Sequence, residues 1–161
     1  MIKLGEFSTT GKLFVTDPCY DRNTWCQGTL DIEPGNYEAF LEKKDEGMWG
    51  VRCAILEIRR PKVEVKDKDW QVTDINVGVD SGQAGFFDDS HFPGRDVDED
   101  WYRKCCDITL AKMGAGTLKG GVVSSSGFGD GGYNCYVYRN KDGVIVAARI
   151  DFLPEYEDDD E

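Results

Sequence analysis

Histidine is the scarcest reactive residue in this 161-residue chain, and the single one, His91, limits the chemistry available. A Ser-His-Asp or Cys-His catalytic arrangement must use it or do without. It sits in Asp88-Asp89-Ser90-His91-Phe92-Pro93-Gly94, which reads as an acidic loop carrying a histidine and not as a poised base. No Gly-x-Ser-x-Gly elbow surrounds any serine. No Cys-x-x-Cys pair exists, and the spacing of Cys19, Cys26, Cys53, Cys105, Cys106 and Cys135 fits no zinc pattern. No apolar run approaches the roughly eighteen residues of a membrane-spanning helix, and Met1 to Glu6 lacks the apolar segment of a signal peptide. These absences predict a soluble, cytoplasmic chain with no membrane partner. Positive charge is also short. Nineteen basic residues face 31 acidic ones, for a net charge of −12, which argues against direct nucleic-acid binding.

The acidity is concentrated in two places. Residues 88–100 carry six acids (Asp88, Asp89, Asp96, Asp98, Glu99, Asp100) against Arg95, and residues 155–161 carry six acids and no base, so the remainder is nearly neutral. The second run is too polar to bury enough to fold. It predicts a disordered acidic tail over 155–161 after a single mainly-β domain over 1–154. Two of the six cysteines are adjacent and nothing suggests export, so free buried thiols are expected rather than disulfides.

Period-two alternation bounded by turn residues predicts strands at Lys12 to Thr16, Thr29 to Glu33, Asn36 to Lys43, Trp49 to Ile58, Val63 to Val65, Trp70 to Val72 and Ile75 to Val79. Others follow at Gly121 to Ser124, Tyr133 to Tyr138 and Val144 to Phe152, the last two joined through Asp142-Gly143 as a hairpin. One helix is predicted from Asp96 to Asp98, ending before Gly114, with Val97, Trp101, Cys105 and Ile108 on its apolar face. Its acidic start suits the positive helix end. The spacing Asp96-x-Asp98-x-Asp100 is not an EF-hand, because Trp101 stands where the sharp turn needs glycine. The fold class expected is mainly β, a β-sandwich or strongly curved antiparallel sheet, with one α-helix covering an end or edge.

Two Asp/Gly-rich loops carry the candidate site. One is Val79-Asp80-Ser81-Gly82-Gln83-Ala84-Gly85 leading into Phe86-Phe87-Asp88-Asp89; the other is Ser124-Ser125-Ser126-Gly127-Phe128-Gly129-Asp130-Gly131-Gly132-Tyr133. Glycine admits positive φ and close backbone approach, so each loop either holds a ligand against backbone N–H groups or folds tightly for architecture. Three chemistries are open. Oxygen ligands at strand ends suit Ca²⁺ or Mg²⁺, with Asp80, Asp88 and Asp130 as the metal candidates and Asp17 and Asp151 nearby. Ser124 to Ser126 and the glycine N–H groups form an anion cradle, although no cation follows until Arg139. Phe86, Phe87, Phe128 and Tyr133 supply faces on which a base or sugar stacks. A carboxylate pair such as Asp80 and Asp130 acting as acid and base would make a hydrolase.

The segments Thr16-Asp17-Pro18-Cys19-Tyr20, Gly78-Val79-Asp80-Ser81-Gly82-Gln83 and Ser126 to Tyr133, with the closing Ile150-Asp151-Phe152, resemble the domain-of-unknown-function 4241 family of bacteria and their phages. The likeness spans roughly residues 8–153. It implies a shared fold and shared loops, no assigned activity, and the host cytoplasm if the chain is phage-encoded. The expectation is a binding protein, not an enzyme, that holds a small polar ligand or divalent ion between loops 80–89 and 124–133. Its contacts would be Asp17, Asp80, Ser81, Gln83, Ser126, Gly129, Asp130 and Tyr133. The alternatives are an acidic interaction or inhibitor protein that occupies a basic host protein through residues 88–100, and the carboxylate-dependent hydrolase.

Overall fold

The computed structural model describes residues 1–154. The expected acidic tail, 155–161, lies outside the described residues. Eleven strands and one α-helix follow in order: β1 (Ile2–Thr9), β2 (Lys12–Thr16), β3 (Gly28–Asp31), β4 (Gly35–Asp45), β5 (Val51–Arg59), β6 (Gln71–Val79), β7 (Gln83–Asp88), α1 (Glu99–Leu110), β8 (Ala115–Leu118), β9 (Gly121–Ser125), β10 (Gly131–Arg139) and β11 (Ile145–Asp151). They form two antiparallel sheets, ordered β1-β4-β5-β11-β10-β6 and β3-β2-β7-β9-β8. This is the sandwich the alternation predicts.

The main core lies between the sheets. Tyr37, Ala39, Leu56, Ile58, Val77, Val137, Ala148 and Ile150 of the larger sheet meet Leu13, Val15, Ala84, Phe86 and Val122 of the smaller one. Each large apolar side chain buried in this way contributes about 1.5–3 kcal/mol. Alternate residues of the smaller sheet point the other way: Phe14, Phe87 and Val123 form a second cluster with Phe92, Cys105, Trp101 and Ile108. Helix α1 therefore lies over the outer face of the five-stranded sheet, on the side of β9 and the edge strand β8. Trp101 packs edge-on against Phe87 (5.2 Å between centroids) and Phe92 (5.5 Å).

Strand β7 is consequently covered on both faces, and all six of its residues are buried. Phe86 serves the inter-sheet core and Phe87 the helix layer, so neither is free to stack on a ligand. The helix starts one residue after its cap. Asp98 accepts a hydrogen bond from the Trp101 N–H at 3.0 Å, and Glu99 and Asp100 occupy the first turn, as dipole compensation favours. Val97 falls outside the helix and is exposed, whereas Trp101, Cys105 and Ile108 make the expected apolar face.

Three local expectations change. Val63 to Val65 is not a strand, because Pro61 removes a donor, Lys62 adopts φ 68° and Val63 N–H closes a turn onto the Arg60 carbonyl. Segments 70–72 and 75–79 merge into the single strand β6. Strand β1, an exposed edge pairing only with β4 and irregular between Lys3 and Gly5, carries no clear alternation and was not expected. All six cysteines are free thiols; Cys26, Cys53, Cys105 and Cys135 are buried as expected, whereas Cys19 and Cys106 are only partly so.

Candidate functional site

At the end of β2, Thr16-Asp17-Pro18 turns the chain, and the Asp17 side chain is fully buried. Its Oδ1 accepts from the Cys19 N–H at 2.8 Å, an Asx-type turn, and from the Ser81 hydroxyl at 2.6 Å. Its Oδ2 accepts from the backbone N–H groups of Asp80 (2.8 Å) and Ser81 (2.7 Å). One carboxylate thus ties the β2 end to the β6–β7 connection. The latter joins the glycine loop in turn: Ser126 N–H donates to the Gly82 carbonyl at 3.1 Å, and Gly131 stands opposite Val79 in the β6–β10 register. The Asp17 turn, the Asp80–Gly82 connection and the 126–133 loop thus meet at this one corner.

Most of the residues singled out in the sequence are consumed by that corner. Gln83 donates to Cys106 Sγ at 3.4 Å and accepts from Thr109 Oγ1 at 3.1 Å, which fastens β7 to α1. The Ser126 hydroxyl donates to the Gly129 carbonyl at 2.9 Å, and the Tyr133 hydroxyl donates to the same carbonyl at 2.7 Å. Gly127 and Gly129 adopt φ 59° and 112°, so the loop needs glycine there for its own shape. Asp80 and Asp130 are exposed, one on each side of the β6–β10 end.

The metal grouping of Asp80, Asp88 and Asp130 is not assembled. The stretch after Gly82 is strand, not loop, and carries Asp88 to the opposite end of β7. Among the described residues, no three His, Cys, Asp or Glu side chains lie where they could share an ion. Asp88 is buried and serves the fold. It accepts from Thr9 Oγ1 (2.5 Å), Thr10 N–H (2.7 Å), Thr10 Oγ1 (3.0 Å), Ser90 N–H (3.1 Å) and the Ser90 hydroxyl. Burial opposes its ionisation, but the hydrogen bonds from Ser90, Thr9 and Thr10 win and hold the carboxyl at about 2. A depressed carboxyl stabilises the fold fully above its unfolded pKa and loses that contribution as pH falls through the folded one. Thermal melts should therefore show an acid-labile component between about pH 4 and about pH 2 that Asp88→Asn removes. Equal slopes in wild type and variant would contradict this.

The 88–100 patch is smaller than its sequence suggests. Asp88 is internal, Asp89 pairs with Arg22, and Asp98 caps α1. Beside Asp17 the structure adds a cluster that sequence reasoning missed: Cys19, Tyr102 and Cys106 around Ser81 and Gln83. Burial first, and then the Asp17 charge, push the Cys19 thiol up to about 12, so it stays protonated at neutral pH and is a poor nucleophile. Burial likewise raises Tyr102, with the Cys106 thiol and Ser81 hydroxyl beside it.

The open space lies on the other side of the glycine loop. A cavity of about 590 Å³ is bounded by Phe128, Tyr133, Asn134, Tyr136 and Phe152, with Lys44, Glu46 and Asp151 as charged groups on its walls. Phe128 is 54 % exposed and takes the Arg52 guanidinium over its ring at 5.1 Å. Tyr133 packs edge-on to Phe152 at 5.3 Å, which fixes the cavity floor. Asn134 and Tyr136 project outward because β10 alternates, with Cys135 and Val137 buried between and beyond them. That parity was readable in the sequence; the approach of Lys44 from β4 and Asp151 from β11 was not. Scans of family models, curated proteins and solved structures return no match to this chain.

Proposed function

We propose that the chain is a binding protein for a small polar ligand with a flat or apolar body, held in the Phe128–Tyr136 cavity on the outer side of the six-stranded sheet. The cavity itself carries this reading. Its volume, about 590 Å³, lies within the few hundred to roughly 1,000 Å³ of small-molecule sites, and it combines aromatic walls with a few convergent polar groups. Phe128 and Tyr136 supply stacking faces; the partly exposed ion pair of Lys44 and Glu46 (3.7 Å) and the Asn134 amide, which accepts from Asn76 Nδ2, supply the polar groups. The reading keeps Tyr133 and the 124–133 loop as site elements and moves the contacts away from Asp17, Ser81, Gln83 and Ser126, whose polar atoms are engaged internally. The likeness to the domain-of-unknown-function 4241 family is proposed on the three motifs that meet at the Asp17 corner and brings no activity with it.

The test is a thermal-shift panel of nucleosides, sugars and amino acids, with Ca²⁺, Mg²⁺ and EDTA arms, on wild type, Phe128→Ala and Tyr136→Ala. A compound present at about 100 times its dissociation constant adds about 2.7 kcal/mol and raises the melting point by several degrees. Both substitutions should abolish that shift while changing the unliganded stability by about 1 kcal/mol or less, because both side chains lie outside the sandwich core. A hit that survives both substitutions would rule this cavity out.

A further inference from the structure

The outer face of the six-stranded sheet carries a second concavity, about 480 Å³, lined by Glu57 and Arg59 of β5, Arg149 of β11, Glu42 of β4, and Asp67 and Trp70 from the connection before β6. Its polar groups are incompletely used. Among the described residues, the buried side-chain nitrogens without a hydrogen-bond partner are Arg59 Nε, Arg149 Nε and Trp70 Nε1, and all three residues line this one concavity. A buried donor left unmade costs about 1–3 kcal/mol, so three around one space mark a place where an acceptor belongs.

The guanidinium groups are held in position without their donors being used up. Arg59 stacks over Phe40 at 4.1 Å, and Arg149 over Trp70 at 4.6 Å. Glu57, 4 % exposed, lies between them as a counter-charge, its oxygens 3.5 Å from Arg59 Nε and 3.8 Å from Arg149 Nη1. The Arg59 Nε contact is an ion pair without a hydrogen bond. Arg59 and Arg149 stand against Glu57, Glu42 and Asp67 in the lining, so the side chains leave no net positive charge. That balance opposes a doubly charged group such as phosphate, so recognition of a monoanion rests on the unpartnered N–H donors and not on net charge.

We propose that this concavity is a carboxylate-binding site, in which Arg59, Arg149 and Trp70 turn their unpartnered N–H groups, covered in the unliganded chain, onto the carboxylate of a small acid or of a peptide C-terminus. Guanidinium edges suit a planar carboxylate, and the rings of Phe40 and Trp70 hold the two guanidinium groups beside the space. The two sites share no lining residue, although Arg149 also lies over the Tyr136 ring at 5.9 Å, and neither proposal requires the other.

The experiment follows the indole N–H of Trp70 in ¹⁵N-correlated spectra of the full chain, with Trp70→Phe identifying its peak among those of Trp25, Trp49 and Trp101. Sodium acetate is titrated against sodium chloride at matched conductivity. A saturable displacement of the Trp70 peak by acetate is expected, weakened at least about tenfold in Arg59→Gln and Arg149→Gln, the effect of losing a charge-assisted hydrogen bond. Arg149→Lys, which keeps the charge and loses the planar fork, covers the case in which a glutamine variant does not fold, and it too should weaken binding. Acetyl-trialanine with a free and with an amidated C-terminus separates the sources. A free-acid peptide that binds more tightly than acetate assigns the site to chain termini, and one that only equals acetate assigns it to small acids. Displacement by chloride equal to that by acetate, affinity unchanged in the arginine variants, or inorganic phosphate binding more tightly than acetate would each overturn the proposal.

Discussion

Asp17→Asn is expected to lower the stability of the chain by about 3 kcal/mol, the upper part of the range for point substitutions. The aspartate accepts four hydrogen bonds, three from backbone N–H groups and one from the Ser81 hydroxyl, and it has no exposed surface. An asparagine side chain keeps the shape but turns one acceptor oxygen into an NH₂ donor. That group then faces either the Cys19 N–H and Ser81 hydroxyl or the two N–H groups of Asp80 and Ser81. Donor against donor leaves buried groups unpaired at about 1–3 kcal/mol each, in addition to the lost charge-assisted bonds. For a domain of this size the loss corresponds to a fall in melting temperature of roughly 6–12 °C. Ser81→Ala, which removes a single donor, should cost about 1 kcal/mol. Chemical unfolding of both variants measures the difference; a loss below about 1 kcal/mol for Asp17→Asn would mean that the carboxylate does not hold the corner together.

Gly85→Ala should cost at least about 3 kcal/mol or prevent folding, although alanine is the smallest possible side chain. A Cβ at this position would lie 2.1 Å from the Val122 carbonyl oxygen and 2.9 Å from Cζ of Phe87. The first obstacle is backbone of the neighbouring strand, and β7 is the centre of its sheet, so relief requires moving β7 away from β9 or the whole pair away from α1. Close packing transmits that strain to both hydrophobic clusters. Since no side chain can be trimmed to make room, Gly85→Ala combined with Val122→Ala should be no more stable than Gly85→Ala alone. Recovery in the double variant, measured by urea unfolding, would show that side-chain volume and not strand separation sets the cost.

Strands with one buried face announced themselves, because their alternation is the direct trace of a half-buried sheet. The β10–β11 hairpin and the Asp98-capped helix were equally plain, since turn and cap chemistry are local. Strand β7 was hidden for the opposite reason. Gln83-Ala84-Gly85-Phe86-Phe87-Asp88 is buried on both sides, so it shows no alternation, and its glycine reads as a loop residue until the neighbouring carbonyl is seen. Taking that strand for loop is what placed Asp88 beside Asp80 in the expected metal site.

The candidate site divides along the same line. Tyr133 and the glycine loop were legible as special, because four glycines around one aspartate over six positions demand a tight or functional turn. Their use as a corner or as a site depends on which atoms are already bonded. Asp17, Ser81, Gln83 and Ser126 turn out to bond one another and the surrounding chain, leaving the open space on the far side of Phe128.

Local physics alone therefore determined the class of fold, the single amphipathic helix and the β10–β11 hairpin turn, since each follows from periodicity, capping or turn geometry. Tertiary structure alone decided which carboxylates are locked, where Lys44 and Asp151 meet Tyr136, and that Arg59, Arg149 and Trp70 share one concavity with unused donors. Those residues lie on different strands or, for Trp70, just before one, and their meeting is set by strand order and register, long-range quantities that no local pattern in the chain encodes.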